Sequence, residues 1–402
     1  MKVIDLTSKL PNYDSIIFNP GLIKLSGDKY LIVYRVWIDS RGPRVHPWGN
    51  RQVPRSQISW DGIDNVGVAV ITIDTINGKV KVIKSNLIQE DIEDTRLFKV
   101  GNTIRMLFTK FVTHPERIRA LTSGTTPKPE QNISDPDSFM MYTSRINGYL
   151  EKDPGVLLCR GHTTNKEKNW VPIPGNKVLR FSYKNPGKMA VYKVTNYSKQ
   201  DNCENKILTE YTVSGIKQMA TLCRAIRFSG GSPAISFNAT EYIAIGHIVV
   251  KTREELLPEY TKLKKYSNVH GAGLVYISYF YTISKQNYQV MRISNPFSFG
   301  NDAIEFSAGL VKDKGNFIIS YGVDDCKVKV AIVPIKDIPL YPESELPKLK
   351  VLNLSSQGSK RTNSVRKVPK RIPKRKVPKR IPKRKIIKVP KRKIVKAPKR
   401  KI

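Results

Sequence analysis

Apolar residues in this chain come in short runs rich in Val, Ile, Tyr and Phe, cut by Gly, Asn, Asp and Pro. Such runs are too short and too β-branched for helices and read as strands. The clearest span residues 30–36, 66–73, 103–111, 177–183, 189–194, 242–249, 273–281, 289–293, 317–321 and 328–333. Helix signals are few. The main one is 252–263, with Thr252 as N-cap and Glu254 and Glu255 in the first turn. The pattern predicts an all-β chain.

Aligned by their turns, the runs repeat. Gly21–Leu25, a Ser26-Gly27-Asp28 turn and Lys29–Arg35 read as strand, tight turn, strand. The same form recurs around Gly101-Asn102, Gly175-Asn176, Asn238-Ala239-Thr240 and Lys314-Gly315-Asn316, at intervals of roughly 60 to 75 residues. That is longer than the usual propeller repeat of about 40 to 50 residues, so long loops are expected between strands. Five repeated hairpins with further strands between them predict a five-bladed β-propeller; a pair of β-sandwiches is the alternative. In a propeller, the polar residues flanking each hairpin converge on one axial funnel. Those flanking residues are Asn19 and Arg35, then Glu93, Asp94 and Arg96, then Lys168 and Asn169, then Gly230, Gly231, Ser232 and His247, and finally Asp324 and Asp325.

Charge divides the chain. It has 402 residues with 70 Lys plus Arg, 33 Asp plus Glu and a formal net charge of +37. Residues 359–402 hold 22 basic residues, no acidic ones and six prolines, which leaves +15 for residues 1–358. Residues 1–350 are therefore expected to form the propeller domain and 351–402 a disordered Lys/Arg/Pro-rich tail, in which recurrent prolines and like-charge repulsion oppose a helix. Such an arm binds nucleic acid or another polyanion by counterion release. No apolar stretch approaches the roughly 18 to 20 residues of a membrane span, and the polar N-terminus lacks a secretory signal. An intracellular location is expected, with nuclear or virion association through the tail. Cys159, Cys203, Cys223 and Cys326 are far apart with no CxxC. They predict free thiols, with neither a metal site nor a disulfide framework.

The segments Phe18-Asn19-Pro20-Gly21, Tyr34-Arg35, Glu93-Asp94-Thr95-Arg96-Leu97, Glu167-Lys168-Asn169-Trp170, Gly230-Gly231-Ser232-Pro233, Gly246-His247 and Ser320-Tyr321-Gly322-Val323-Asp324-Asp325 resemble, in order, those of glycoside hydrolase family 130. The resemblance covers roughly residues 15–340 and implies a five-bladed propeller acting on β-linked mannosides, mostly by inverting phosphorolysis to mannose 1-phosphate. It implies Asp94 as the general acid and Asn19, Arg35, Arg96 and Asp325 as ligands of the sugar. Arg119, Lys168 and His247 would bind phosphate, a co-substrate, and no cofactor or metal is implied. Forked guanidinium donors with point charges suit a phosphate, and one positioned carboxylic acid suits inversion. The chain departs from the family's pattern at Thr95, where Pro is common, after Phe111, and in the insert 42–57. Expected functions are therefore cleavage, phosphorolysis or transfer of mannosides. A catalytically inactive glycan-binding propeller with a polyanion-binding tail is the alternative.

Overall fold

The computed structural model describes residues 1–11, 15–38, 63–112, 138–158, 168–181, 187–194, 205–222, 225, 227–251, 274–300, 302, 304–344 and 352–353. Among them the chain is all-β: five sheets and one α-helix. The first sheet runs in chain order through Ile16–Ser26, Lys29–Ile38, Ile63–Ile73 and Val80–Ile88. The second runs through Ile92–Val100, Thr103–Val112, Ser138–Arg145 and Val156–Leu157. The third runs through Val171–Ile173, Lys177–Phe181, Lys188–Val194 and Asn205–Thr212. The fourth, with eight strands, is built on Arg227–Gly230, Glu241–Lys251, Leu274–Ser284 and Val290–Ser294. The fifth joins Glu305–Asp313, Asn316–Val323 and Lys327–Pro334 to the N-terminal strand Lys2–Asp5.

All five expected hairpins form. Three close through two-residue turns whose first residue has positive φ: Gly27 (φ 57°) with Asp28 between Ser26 and Lys29, Gly101 (φ 57°) with Asn102 between Val100 and Thr103, and Lys314 (φ 45°) with Gly315 (φ 76°) between Asp313 and Asn316. That backbone twist matches the twist of the strands. Five sheets replace the four of a sandwich pair. The expected helix 252–263 lies outside the described residues. The helix that is described, Ser214–Leu222, was not expected from the sequence: it is short, and among its described side chains only Ile216 and Met219, one turn apart, enter the core.

The near-continuous apolar character of the strands has a simple cause: the sheets bury both faces. Along Lys29–Ile38 the even residues Tyr30, Ile32, Tyr34 and Val36 pack with Ile318, Val330 and Ile332 of the fifth sheet. The odd residues Leu31 and Val33 pack with Leu97, Met106 and Phe108 of the second. The period of two thus appears as two apolar sets, each with its own partner sheet. The same holds along the chain, with Phe98 and Leu107 against Trp170 and Val178, Phe181 and Val191 against Phe228 and Ile248, and Ile245 and Phe280 against Phe317 and Val333. Every consecutive pair of sheets shares a core, and the fifth shares one with the first. Neighbouring sheets approach closely enough that a Cβ on Gly21 would stand 2.6 Å from the carbonyl oxygen of Thr95.

Candidate functional site

The site is positioned by a repeated irregularity. In the first sheet Phe18 pairs with Arg35 and Gly21 with Val33, so two residues, Asn19 and Pro20, oppose one. In the second, Glu93 pairs with Thr109 and Arg96 with Leu107, so Asp94 and Thr95 oppose one. Asn19 (φ 47°) and Asp94 (φ 51°) adopt left-handed backbone at these bulges, and Asn169 (φ 62°) does so just before the first strand of the third sheet. Asn and Asp tolerate that conformation better than other residues with a side chain, and a bulge re-aims the side chains it carries.

The bulges bring polar residues of the first two sheets together with Lys168, just before the third. The Asn19 amide donates to Asp94 Oδ1 at 3.0 Å, and Lys168 Nζ donates to Glu93 Oε2 at 2.6 Å, each across an interval of 75 residues. Arg35 bridges the two carboxylates, Nη1 at 3.4 Å from Asp94 and Nη2 at 3.3 Å from Glu93, with its guanidinium 4.6 Å from the Phe18 ring. Burial pushes the Asp94 carboxyl up. Arg35, Lys168, Arg96 and the Asn19 hydrogen bond outweigh burial and hold it below the usual carboxylate range. Asp94 is thus held as a carboxylate.

Arg96 occupies a different kind of place from the one its sequence position implied. It is fully buried, its Nε donates to the Gly231 carbonyl, Nη1 to the Asp94 carbonyl at 2.7 Å and Nη2 to Asn169 Oδ1 at 2.8 Å. Its guanidinium lies 5.4 Å from the Phe306 ring. One side chain therefore ties together residues of the second, third, fourth and fifth sheets, directly beneath the Asp94 bulge.

His247 is also buried, stacked on Tyr276 at 5.1 Å and edge-on to Phe306 at 5.3 Å. Neither of its ring nitrogens has a hydrogen-bond partner among the described residues. Burial, then Arg227 and Arg96, push its pKa well below the ordinary value, so the ring is neutral. Arg227 donates to the Tyr276 hydroxyl at 2.9 Å. Asp325 stands in the turn after Val323, left-handed at φ 48°, near enough to act on the Tyr276 hydroxyl. Arg119 lies outside the described residues. Sequence reasoning missed Arg227 and Tyr276. Arg227 carries a signal, a cation three residues before Gly230-Gly231, whereas Tyr276 is indistinguishable from core within its apolar run.

No protein-family model matches this chain, and no curated protein matches it. Solved structures do. The β-1,2-mannobiose phosphorylase of Listeria innocua, in its β-1,2-mannobiose complex, aligns over 84% of this chain and 98% of that one, with 12% identity and a TM-score of 0.50. This chain shares the fold of a mannoside phosphorylase. A mannose phosphorylase from Leishmania mexicana in complex with phosphate ion (15% identity, 84% of this chain and 91% of that one, TM-score 0.41) is also similar. So is a glycosyl hydrolase from Bacteroides ovatus (14% identity, 83% and 87%, TM-score 0.45). At these identities the likeness is one of fold.

Proposed function

We propose that the body of the chain is a five-bladed β-propeller enzyme that cleaves or forms β-mannosidic bonds by inverting phosphorolysis, with inorganic phosphate as co-substrate. The observation that carries this reading is the Asn19–Asp94–Arg35–Glu93–Lys168 cluster, assembled from the bulges of the first two sheets and the segment just before the third. The closed sequence of shared cores between sheets supports the propeller, and the fold likeness supports the class.

In this reading a phosphate oxygen attacks the anomeric carbon as the glycosidic bond breaks on the opposite face. The bond's electron pair goes to the leaving oxygen, which takes its proton from Asp94. Phosphate delivers that proton: monohydrogen phosphate enters with it, mannose 1-phosphate leaves without it, and the released sugar hydroxyl keeps it. The low pKa of Asp94 in the free protein is consistent with this, because a phosphate held by Lys168 offsets one of the cations that keep Asp94 ionised. Asn19, Arg35 and Asp325 are proposed as sugar ligands, and Lys168 and His247 as phosphate ligands. Arg96 is better assigned to positioning, since its donors are committed to protein acceptors.

Incubation with β-1,2- or β-1,4-linked mannobiose should yield mannose 1-phosphate when phosphate is present. Asp94→Asn should lower kcat by about 10²–10⁴-fold, the contribution of a positioned general acid. Full activity of Asp94→Asn excludes this mechanism, and mannoside binding without turnover identifies a glycan-binding propeller instead.

A further inference from the structure

The first strands of the five sheets carry a second feature, beyond the bulges and toward the hairpin turns. There they line a cavity of about 330 Å³, to which every one of the five sheets contributes. Its size is within the range of small-molecule pockets, about 300–1,000 Å³. The walls repeat: Leu22, Leu97 and Leu310 follow the residues that re-enter register after the bulges, and Lys24, Lys99 and Lys312 come two positions later. The leucines are buried behind the wall, and the half-buried apolar residues that line it are Ile23, Pro174 and Ile235.

Among the described residues, no acidic one lines the cavity. Asp313, the next residue along, forms an ion pair with Lys24 and also accepts from the Tyr30 hydroxyl at 2.9 Å, so one of the three charges is balanced. Lys312 donates to the Phe237 carbonyl at 2.7 Å, a neutral partner that leaves its charge intact, and Lys99 is exposed. The result is an apolar chamber with two cations at its rim that no described carboxylate balances. Sugars, which need dense hydroxyl ligation, find few partners there, whereas a ligand with an apolar body and a single anionic head matches both parts.

We propose that this cavity is a binding site for a small carboxylate-headed amphiphile, with the alkyl body against Ile23, Pro174 and Ile235, the half-buried apolar residues of the wall, and the carboxylate at Lys99 and Lys312. The site is separate from the bulge cluster and does not depend on the catalytic assignment.

Calorimetric titration of the full chain with octanoate tests it. Saturable one-to-one binding is expected, and octanamide, equal in length but uncharged, should bind at least about tenfold more weakly, as loss of a charge-assisted contact implies. The exposed pair Lys99→Glu and Lys312→Glu, checked for an unchanged thermal transition, should weaken octanoate at least about tenfold while leaving octanamide unaffected. Absence of saturable octanoate binding overturns the proposal. So does octanoate binding that survives both substitutions, because it would then reside in the basic tail. Equal affinity for octanoate and octanamide would likewise remove the anionic head from the recognition.

Discussion

Arg96 shows how much a single residue can hold. Its donors reach acceptors on Gly231, Asp94 and Asn169, and all of it is buried. Such a side chain contributes through satisfaction of buried carbonyls more than through net charge, since no carboxylate is among these acceptors. Arg96→Met keeps apolar volume but leaves those acceptors unpaired, and should cost on the order of 3 kcal/mol of stability. Arg96→Lys should recover little, because an ammonium cannot span a forked set of acceptors. Chemical denaturation of the two variants checks this; wild-type stability in Arg96→Lys would mean that the fork is not what holds the bulge. The clustering of Asn19, Arg35, Asp94 and Lys168 was legible from the hairpin flanks, because all four flank the hairpins of three successive repeats. Which way Arg96 points was not. A bulge inserts one residue, so strand alternation cannot be carried across it, and Arg96 is the first residue back in register after one. His247 was equally opaque: its burial depends on Tyr276 and Phe306, which only the fold brings to it.

At the level of elements, the hairpins were legible because turn chemistry is local, while connections between sheets were not. The connection from the fourth sheet to the fifth is an instance. Glu305, at the start of Glu305–Asp313, is buried and accepts from the backbone N–H groups of Phe299 at 2.6 Å and Gly300 at 2.7 Å. It clamps the turn that precedes its own strand. Burial pushes its carboxyl up from 4.5 to about 8, with Asp302 adding to the rise and the two N–H groups and Lys329 opposing it. A carboxyl whose folded pKa exceeds its unfolded value favours the folded state while protonated. Its contribution is complete below about pH 4.5 and is lost as pH rises through about 8. Stability should therefore decline across that window, with a slope from this group approaching about 1.4 kcal/mol per pH unit. Glu305→Gln should flatten the decline. The slope is the informative quantity, because Gln sets an amide NH₂ against one of the two backbone donors and lowers stability at every pH. Parallel profiles for wild type and Glu305→Gln, from denaturant titrations between pH 5 and 9, would place the pH dependence elsewhere.

On the scale of the molecule, four sheets draw their strands mainly from consecutive stretches, but the fifth does not. Lys2–Asp5 pairs antiparallel with Lys327–Pro334, from Lys2 opposite Ile332 to Asp5 opposite Lys329, and Leu6 N–H continues the ladder to the Val328 carbonyl. Ile4 and Leu6 are buried in the core that the fifth sheet shares with the first. This pairing was invisible in the sequence: residues 2–6 are a short segment whose partner lies at the far end of the body, and no local pattern records so distant a contact. It ties the first stretch of the body to the last, which favours a ring of sheets over an open array. In a ring, loosening this segment strains both sheets that meet there. In an open array, it would affect only the edge on which the segment lies. Leu6→Ala, at a fully buried position, should cost about 2–5 kcal/mol. Hydrogen exchange should then lose protection in the first sheet, at residues 30–36, together with the fifth, at residues 317–333, while the third sheet keeps its own. Loss confined to residues 327–334 would mean that the first and fifth sheets do not close on each other, and the five-bladed ring would have to be abandoned.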